Sequence, residues 1–293
     1  MRKVLLATTA LVAMSVTGAQ AADISISGNL ETNYLNTGGG DDLLLDGNVY
    51  LTATTAADNG VSYEVVWGQR IEPKTMDVTT SAADGGEALG TGHIQQASLK
   101  ISSPEIGSVY LGNADDDAPG MMDGALPQNN DIESTKHAKG SWETALGGGD
   151  VGITWISPNV GGFQIGATTN PGKSTDATAV TYSMGGVSAY YGTNGNRSNV
   201  GVKGSVAGFT IAVGASKVDG QKTKTNDMAF KYSLANGITL AGLVAKGTDS
   251  TGAEKKYNNV GASYTLAPGV SLKVEAGEAD NSGFTFIGVN TAF

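Results

Sequence analysis

The chain has 293 residues, a formal net charge of −10 and no cysteine. The absence of cysteine excludes a disulfide framework and thiolate chemistry, and the strong acidity argues against nucleic acid as a partner. There are 43 glycines and only 7 prolines, and these glycines punctuate alternating apolar segments. This arrangement argues against a disordered chain.

Residues 1–21 have the pattern of a secretory signal peptide. Arg2 and Lys3 form a positively charged start, an apolar stretch follows, and small residues precede position 22. The apolar run is too short, and too rich in hydroxyl residues, for a transmembrane anchor. We expect cleavage between Ala21 and Ala22. The remaining residues, 22–293, then form one domain outside the cytoplasm, with 16 basic residues (18 minus Arg2 and Lys3) against 28 acidic ones.

After the signal, apolar and polar side chains alternate with a period of two. Phe209, Ile211 and Val213, for example, alternate with Thr210 and Ala212, and no stretch has a convincing helical period. The alternation predicts sixteen strands, an even number, at 23–36, 43–56, 61–72, 92–102, 108–113, 150–157, 163–170, 177–184, 187–194, 198–206, 209–218, 225–234, 238–247, 257–266, 270–279 and 284–293.

Two kinds of connection alternate between these segments. Short glycine turns recur near 58–60, 104–107, 158–162, 185–186, 207–208, 235–237 and 267–269, since glycine supplies the positive φ of tight hairpins. Longer polar loops are expected at 36–42, 73–91, 170–176, 219–224, 248–256 and 280–283. Short turns at one end and long loops at the other are typical of an outer-membrane barrel.

Aromatic residues are predicted at the strand ends beside the short turns. They are Trp155, Phe163, Tyr182, Phe209, Tyr232, Tyr264 and Phe293. Rings in these positions form a girdle where hydrocarbon meets headgroups, whereas a soluble sandwich would place them in mid-strand. The terminal Phe293 fits a last strand that closes a barrel.

The segment from Pro104 to Asp115, together with the signal, the glycine hairpins and the terminal Phe293, resembles the general-diffusion porins of Gram-negative outer membranes. The likeness is greatest to porins of purple photosynthetic bacteria and other alphaproteobacteria. It implies an all-β, 16-stranded antiparallel transmembrane β-barrel whose third loop folds inward and narrows the pore. It also implies a homotrimer in the outer membrane, in contact with lipid and lipopolysaccharide.

The longest irregular segment, from Asn113 to Gly149, corresponds to that third loop. Its acidic residues are Asp115, Asp116, Asp117, Asp123, Asp131 and Glu133. On an outer surface they would be a solvated face, but on an inward-folded loop they would ring the constriction. Fixed charges of opposite sign across a pore select ions by sign.

The opposing positive wall must come from strand residues that face the lumen. A mid-membrane Arg or Lys facing lipid costs roughly 2–4 kcal/mol, so we expect the basic strand residues to face inward. The candidates are Arg70, Lys100, Lys203, Lys231 and Lys273. The pattern predicts a channel for passive diffusion of small hydrophilic solutes and ions, with a mild cation preference.

Three alternatives follow from other features. Asp115, Asp116 and Asp117 are a weak candidate for Ca²⁺, which takes oxygen ligands, and no other cofactor is expected. An enzyme, such as a lipase on a barrel, would need His93 or His137 beside a serine and an acid; we expect both histidines to be solvated. A secreted soluble β-protein or adhesin would need regularly recurring Gly-Asp repeats, and only two such segments occur.

Overall fold

The computed structural model describes residues 22–37, 39–71, 94–114, 117–130, 152–171 and 176–293. The predicted signal peptide therefore lies outside the described residues, as does the predicted loop 73–91. The described residues form a closed barrel of sixteen antiparallel strands, each paired with its neighbours in sequence. Of the described residues, no helix is long and apolar enough to cross a membrane.

The strands are β1 (Asp23–Thr37), β2 (Gly40–Ala56), β3 (Ser62–Ile71), β4 (Ile94–Ser103), β5 (Gly107–Asn113), β6 (Gly152–Ile156), β7 (Phe163–Thr169), β8 (Ala177–Met184), β9 (Val187–Asn194), β10 (Arg197–Val206), β11 (Phe209–Val218), β12 (Lys224–Ser233), β13 (Ile238–Thr248), β14 (Glu254–Ala267), β15 (Val270–Ala279) and β16 (Ser282–Ala292). Between β5 and β6 lie a short helix, α1 (Ala118–Met122), and a 3₁₀ helix (Pro127–Asn130). All sixteen predicted strands are present.

The first and last strands close the barrel. Their register runs from Asn29 opposite Ala292 to Thr37 opposite Phe284. Beyond it, Gly28 and Phe293 exchange both backbone hydrogen bonds, each 3.0 Å long. Closure removes the sheet edge, which is required because an unpaired N–H or C=O in hydrocarbon costs several kcal/mol.

Alternating burial separates an outer face from a lumen face. On β11, Phe209, Ile211 and Val213 point outward and are exposed, while Ala212 points inward and is fully buried. The same pattern gives an outer belt of exposed apolar side chains on the neighbouring strands. Such a surface is stable only against lipid.

The aromatic girdle is present where it was predicted. The Phe163 and Tyr182 rings pack with centroids 4.4 Å apart, and those of Phe209 and Tyr232 are 6.1 Å apart. Trp155 donates its indole N–H to the Ile106 carbonyl at 2.8 Å. The rings thus cover the outer face beside the short turns and keep a polar contact at the interface.

Several connections at the opposite end are shorter than predicted. β14 begins at Glu254, so its connection to β13 is 249–253, and β15 joins β16 through Asp280 and Asn281 alone. Both of these residues have positive φ (50° and 70°), as a type I′ turn requires. The polar residues at this end of the strands still form backbone hydrogen bonds with the neighbouring strand. A prediction that assigns such polar residues to loops therefore makes the loops too long.

Two carboxylates hold these outer turns. Asp249 accepts hydrogen bonds from the Thr251 hydroxyl and from two backbone amides, which lower its pKa. Partial burial works against ionisation of Asp280. Hydrogen bonds from Lys255 and from the Lys256 amide outweigh that effect, so the pKa of Asp280 also lies below its usual value. The outer turns are therefore held together by ionised carboxylates.

The lumen face is not uniformly polar, contrary to the simple alternation. Seven inward side chains form a buried apolar cluster: Leu35, Ala229, Leu243, Ala245, Tyr257, Phe284 and Phe286. The Tyr257 and Phe284 rings are stacked 5.9 Å apart. The Phe284 ring lies over Gly277, where a Cβ would come within 2.7 Å of it. Inward aromatics therefore lie flat along a concave wall, over glycines that leave room for them.

A substitution at Val213 tests which face of the barrel contacts lipid. Val213 lies midway along β11, and its side chain is 47% exposed on the outer face. We expect Val213→Arg to lower the free energy of unfolding in lipid vesicles by roughly 2–4 kcal/mol, as measured by urea titration. Thr181→Arg, on the lumen side of β8, is the control and is expected to cost much less. Equal losses for the two variants would contradict the assignment of faces.

Candidate functional site: the lumen and its third loop

Part of the third loop lies inside the barrel and is tied to its wall. The Ala118 amide donates to Thr168 Oγ1 at 2.8 Å, and Asn194 Nδ2 donates to Asp117 Oδ2 at 2.8 Å. Further along the loop, Lys203 Nζ donates to the Gly124 carbonyl at 2.6 Å. All three partners are lumen-facing strand residues, so α1 and the residues after it narrow the channel.

Glycines on the lumen face make room for this loop. A Cβ at Gly166 would come within 2.5 Å of the Met122 sulfur and 2.8 Å of Ala118 Cβ. At Gly201 it would meet Leu126 Cδ2 at 2.8 Å, and at Gly214 it would meet Pro127 Cδ at 2.7 Å. The loop can therefore pack directly on the backbone of β7, β10 and β11.

Asp117 does not line the pore, and its predicted role as a constriction acid is wrong. It is the N-cap of α1, accepts a hydrogen bond from the Gly120 amide at 3.1 Å, and is only 2% exposed. An N-cap carboxylate is satisfied by backbone N–H groups at the helix start. The charge of Asp117 therefore fixes the loop rather than facing the solute.

The other loop acids are only partly described. Asp123 follows α1 as its C-cap and is partly exposed. Asp115, Asp116, Asp131 and Glu133 lie outside the described residues, so their place at the constriction stays a prediction. Within the described ranges, no group of three or more histidine, cysteine, aspartate or glutamate side chains is arranged to hold a metal ion. Both histidines also lie outside these ranges.

Three of the predicted basic residues face the lumen on β3, β4 and β15, and each has an acidic partner. Arg70 on β3 forms a bidentate pair with Asp46, with its shorter contact at 3.1 Å. Lys100 on β4 lies 3.9 Å from Glu64 and over the Tyr110 ring. At these positions the lumen therefore carries ion pairs and not a purely positive surface.

The third pair, Lys273 with Glu31, belongs to a buried network. The two charges are 3.7 Å apart, and Asn290 also donates to Glu31. Nearby on β15, Glu275 is 3% exposed and accepts hydrogen bonds from Asn259 and Tyr257. Donors on neighbouring elements therefore contact both of these buried carboxylates.

The two remaining predicted bases lie near the loop. Lys203 on β10 donates a hydrogen bond to the Gly124 carbonyl of the loop. Lys231 on β12 points inward between the lumen residues Ala229 and Ser233. The five predicted bases therefore all face the lumen but surround it, and they do not form one wall.

A recess of about 460 Å³ lies between the loop and the short-turn half of the wall. Polar side chains dominate its strand side, and the loop contributes Met121 and Met122. Its polar lining comprises Ser108, Tyr110, Ser157, Gln164, Thr181, Ser183, Ser188 and Lys203. Lys203 is the single charged residue in this set, so the recess is mostly a hydroxyl and amide surface.

Paired hydroxyls continue this surface around the short-turn end. Cross-strand contacts join Ser62 to Ser102 at 2.7 Å, Ser183 to Ser188 at 2.9 Å and Ser205 to Thr210 at 2.9 Å. A similar pair joins Ser233 and Thr239. Hydroxyls both donate and accept, so this mouth offers hydrogen bonds to passing solutes without a fixed charge.

Sequence reasoning missed the lumen carboxylates and the glycines under the loop. Glu31, Asp46 and Glu275 sit at inward positions of the same alternation that identified the lysines, so the pattern contained a signal for them. The glycines had no such signal. Gly166, Gly201 and Gly214 look like any other strand glycines, and only the packing of the loop distinguishes them.

Gly201 tests whether loop packing sets the constriction. We expect Gly201→Val to displace the segment around Leu126 and to raise single-channel conductance in planar bilayers, because a Cβ there comes within 2.8 Å of Leu126 Cδ2 and 3.0 Å of the Ala125 carbonyl oxygen. Gly204→Val on the same strand is the matched control, since nothing lies within 4 Å of a Cβ at Gly204. A conductance unchanged by Gly201→Val would contradict an inward loop.

Substitution of Asp117 tests whether the N-cap of α1 orders the third loop. Asp117→Ala removes the carboxylate that α1 and Asn194 share, at a cost of about 1 kcal/mol for the cap. We expect noisier open-channel current and faster amide exchange at Gly120. Asp117→Asn, which keeps an acceptor, should stay near wild type. If alanine and asparagine behave alike, the cap does not order the loop.

The chain matches the family of Gram-negative porins over residues 7–283. A comparison with curated proteins found no match. Among solved structures, two engineered variants of the porin of Rhodopseudomonas blastica superpose with TM-scores of 0.72 and 0.73, at 15% and 14% identity.

Each of these comparisons covers 92% of this chain and 100% of the porin. At this level of identity the structural likeness establishes the fold. The family match spans most of the chain and agrees with the closed barrel, the outer apolar belt and the inward loop. The chain is therefore a member of the Gram-negative porin family, an integral β-barrel protein of the outer membrane.

Proposed function

We propose that this porin is an open channel through which small hydrophilic solutes and ions diffuse passively, with a mild preference for cations. The observation that carries the proposal is the α1 segment held inside a closed barrel by Thr168, Asn194 and Lys203. A loop fixed in this position restricts the passage. Diffusion through the remaining space requires no energy source and no cofactor.

The lumen chemistry supports polar solutes of low charge. The polar groups of the recess beside the loop and the paired hydroxyls at the short-turn end can form hydrogen bonds with a passing solute. These bonds replace the hydrogen bonds to water that the solute loses. The buried apolar cluster on the facing side offers no such bonds. Small hydrophilic molecules would therefore follow the hydroxyl-lined side of the channel.

The charge distribution supports the preference for cations. Arg70, Lys100 and Lys273 are each paired with a carboxylate, which reduces their repulsion of cations. The chain as a whole carries a charge of −10. Acidic residues of the third loop would add to this field if they face the solute.

Two finer parts of the proposal rest on the sequence. Calcium binding by Asp115, Asp116 and Asp117 stays a weak proposal, and the use of Asp117 as a helix cap leaves its carboxylate less available. A homotrimer is proposed from the resemblance to porins. Current steps that arrive in threes on insertion into a planar bilayer would support the trimer.

The ion preference is tested by the reversal potential in a KCl gradient. We expect Asp115→Asn combined with Asp116→Asn and Asp123→Asn to move this potential toward zero, because three negative charges leave the loop. Lys231→Gln is expected to move it in the opposite direction, since it removes a lumen cation. An unchanged potential in the triple variant, with normal conductance, would contradict the role of the loop in selectivity.

A further inference from the structure

The recess beside the third loop has two chemically different sides. Its strand side carries neutral polar side chains from three neighbouring strands, β7, β8 and β9. We call these side chains the polar wall: Gln164, Thr181, Ser183 and Ser188. Its loop side carries the apolar side chains of Met121 and Met122. A cavity of this kind fits a solute that has both hydrogen-bonding and apolar surface.

The strand register places the groups of the polar wall side by side. Gln164 lies directly opposite Thr181, and Ser183 lies directly opposite Ser188. Residues in such positions have Cβ atoms roughly 4.5–5.5 Å apart. Thr181 and Ser183 are two residues apart on β8, so their side chains point to the same face of the sheet. The polar wall is therefore one continuous surface.

The hydrogen bonds within the polar wall use only part of what its groups can form. The Ser183 hydroxyl donates to Ser188 Oγ at 2.9 Å, and Gln164 Nε2 donates to the Ser157 carbonyl at 3.3 Å. A hydroxyl has one donor and two acceptor sites, and a side-chain amide has two donors and a carbonyl acceptor. The polar wall can therefore donate further hydrogen bonds to a solute and accept further ones from it.

The recess carries little charge. Among the described residues that line it, Lys203 alone is charged and none is acidic. The Lys203 ammonium already donates to the Gly124 carbonyl at 2.6 Å. An ion loses more hydration free energy than a neutral molecule when it leaves water for such a surface. The recess therefore favours a neutral solute.

We propose that this recess is a binding site for a neutral sugar of monosaccharide size. A sugar ring carries hydroxyl groups around its edge and C–H groups on its faces, so its hydroxyls can contact the polar wall while a C–H face lies against Met121. The volume of the recess, about 460 Å³, lies within the range of about 300–1,000 Å³ that is typical of small-ligand sites. The inference rests on the proposed function, because the sugar reaches the recess through an open channel.

The test measures sugar binding to the full mature barrel by saturation-transfer NMR, in micelles of a detergent that has no sugar headgroup. The probes are glucose and its anionic analogue glucuronate. We expect a glucose signal that saturates with concentration, and a half-saturating concentration several-fold higher for glucuronate. A glucose signal that grows linearly with concentration would overturn the proposal. Tighter binding of glucuronate would overturn it in favour of an anion site at Lys203.

A variant without the hydroxyls of the polar wall locates the binding. Thr181→Val combined with Ser183→Ala and Ser188→Ala should raise the half-saturating glucose concentration about tenfold or more, because the sugar loses several hydrogen bonds. Thr181→Ser combined with Ser188→Thr keeps every hydroxyl and should bind glucose like the wild type. An unchanged half-saturating concentration in the triple variant would overturn the assignment to the recess.

The matched control removes hydroxyls from the outer face of the same two strands. Thr178 Oγ1 and Thr193 Oγ1 lie 3.0 Å apart across β8 and β9. Thr178→Val combined with Thr193→Val should leave glucose binding unchanged, because these side chains face away from the lumen. An equal loss of binding in this control and in the triple variant would contradict a specific role of the polar wall.

Conductance in KCl without sugar separates this inference from the proposed function. The NMR measurement does not require an ion current, so each result is read independently. A conducting barrel without saturable glucose binding would overturn the sugar site and support the open channel. Saturable glucose binding by a barrel that does not conduct would support the sugar site and contradict the open channel.

Discussion

The need to satisfy every backbone hydrogen bond in hydrocarbon is the constraint on which the rest of this structure depends. Inside a bilayer no water can replace a missing partner, so a sheet must have no free edge. The pairing of β1 with β16, extended by the exchange between Gly28 and Phe293, meets this requirement. Once the barrel is closed, successive residues face either lipid or lumen, and the chemistry of each face follows.

The lumen face combines three surfaces with different roles. Glycines on β7, β10 and β11 let the third loop approach the strand backbone, and hydroxyl pairs line the short-turn end. On the other side, aromatic rings lie over glycines such as Gly277 and remove part of the wall from contact with water. The width and polarity of the passage are therefore set by where small residues occur along the inner face.

Charges in this protein act mainly in pairs. Arg70 and Lys100 each face a carboxylate on the neighbouring strand, Lys273 reaches Glu31 past β16, and Asp117 caps a helix. On the outer face the register instead places Lys217 opposite Lys224 and Lys246 opposite Lys256, so cations face cations there.

The sequence by itself determined the barrel. Its period of two, its glycine turns and its outward aromatics predicted sixteen strands, and β8, β9, β11 and β15 have the predicted bounds. Alternation also placed Lys231 and its fellow bases on the inner face, because side-chain direction is a local property of a strand. Tertiary structure alone decided that Asp117 is a buried cap, that Glu31 pairs with Lys273, and which glycines lie under the loop. These features join segments far apart in the chain, and only closure of the cylinder brings such segments within contact distance.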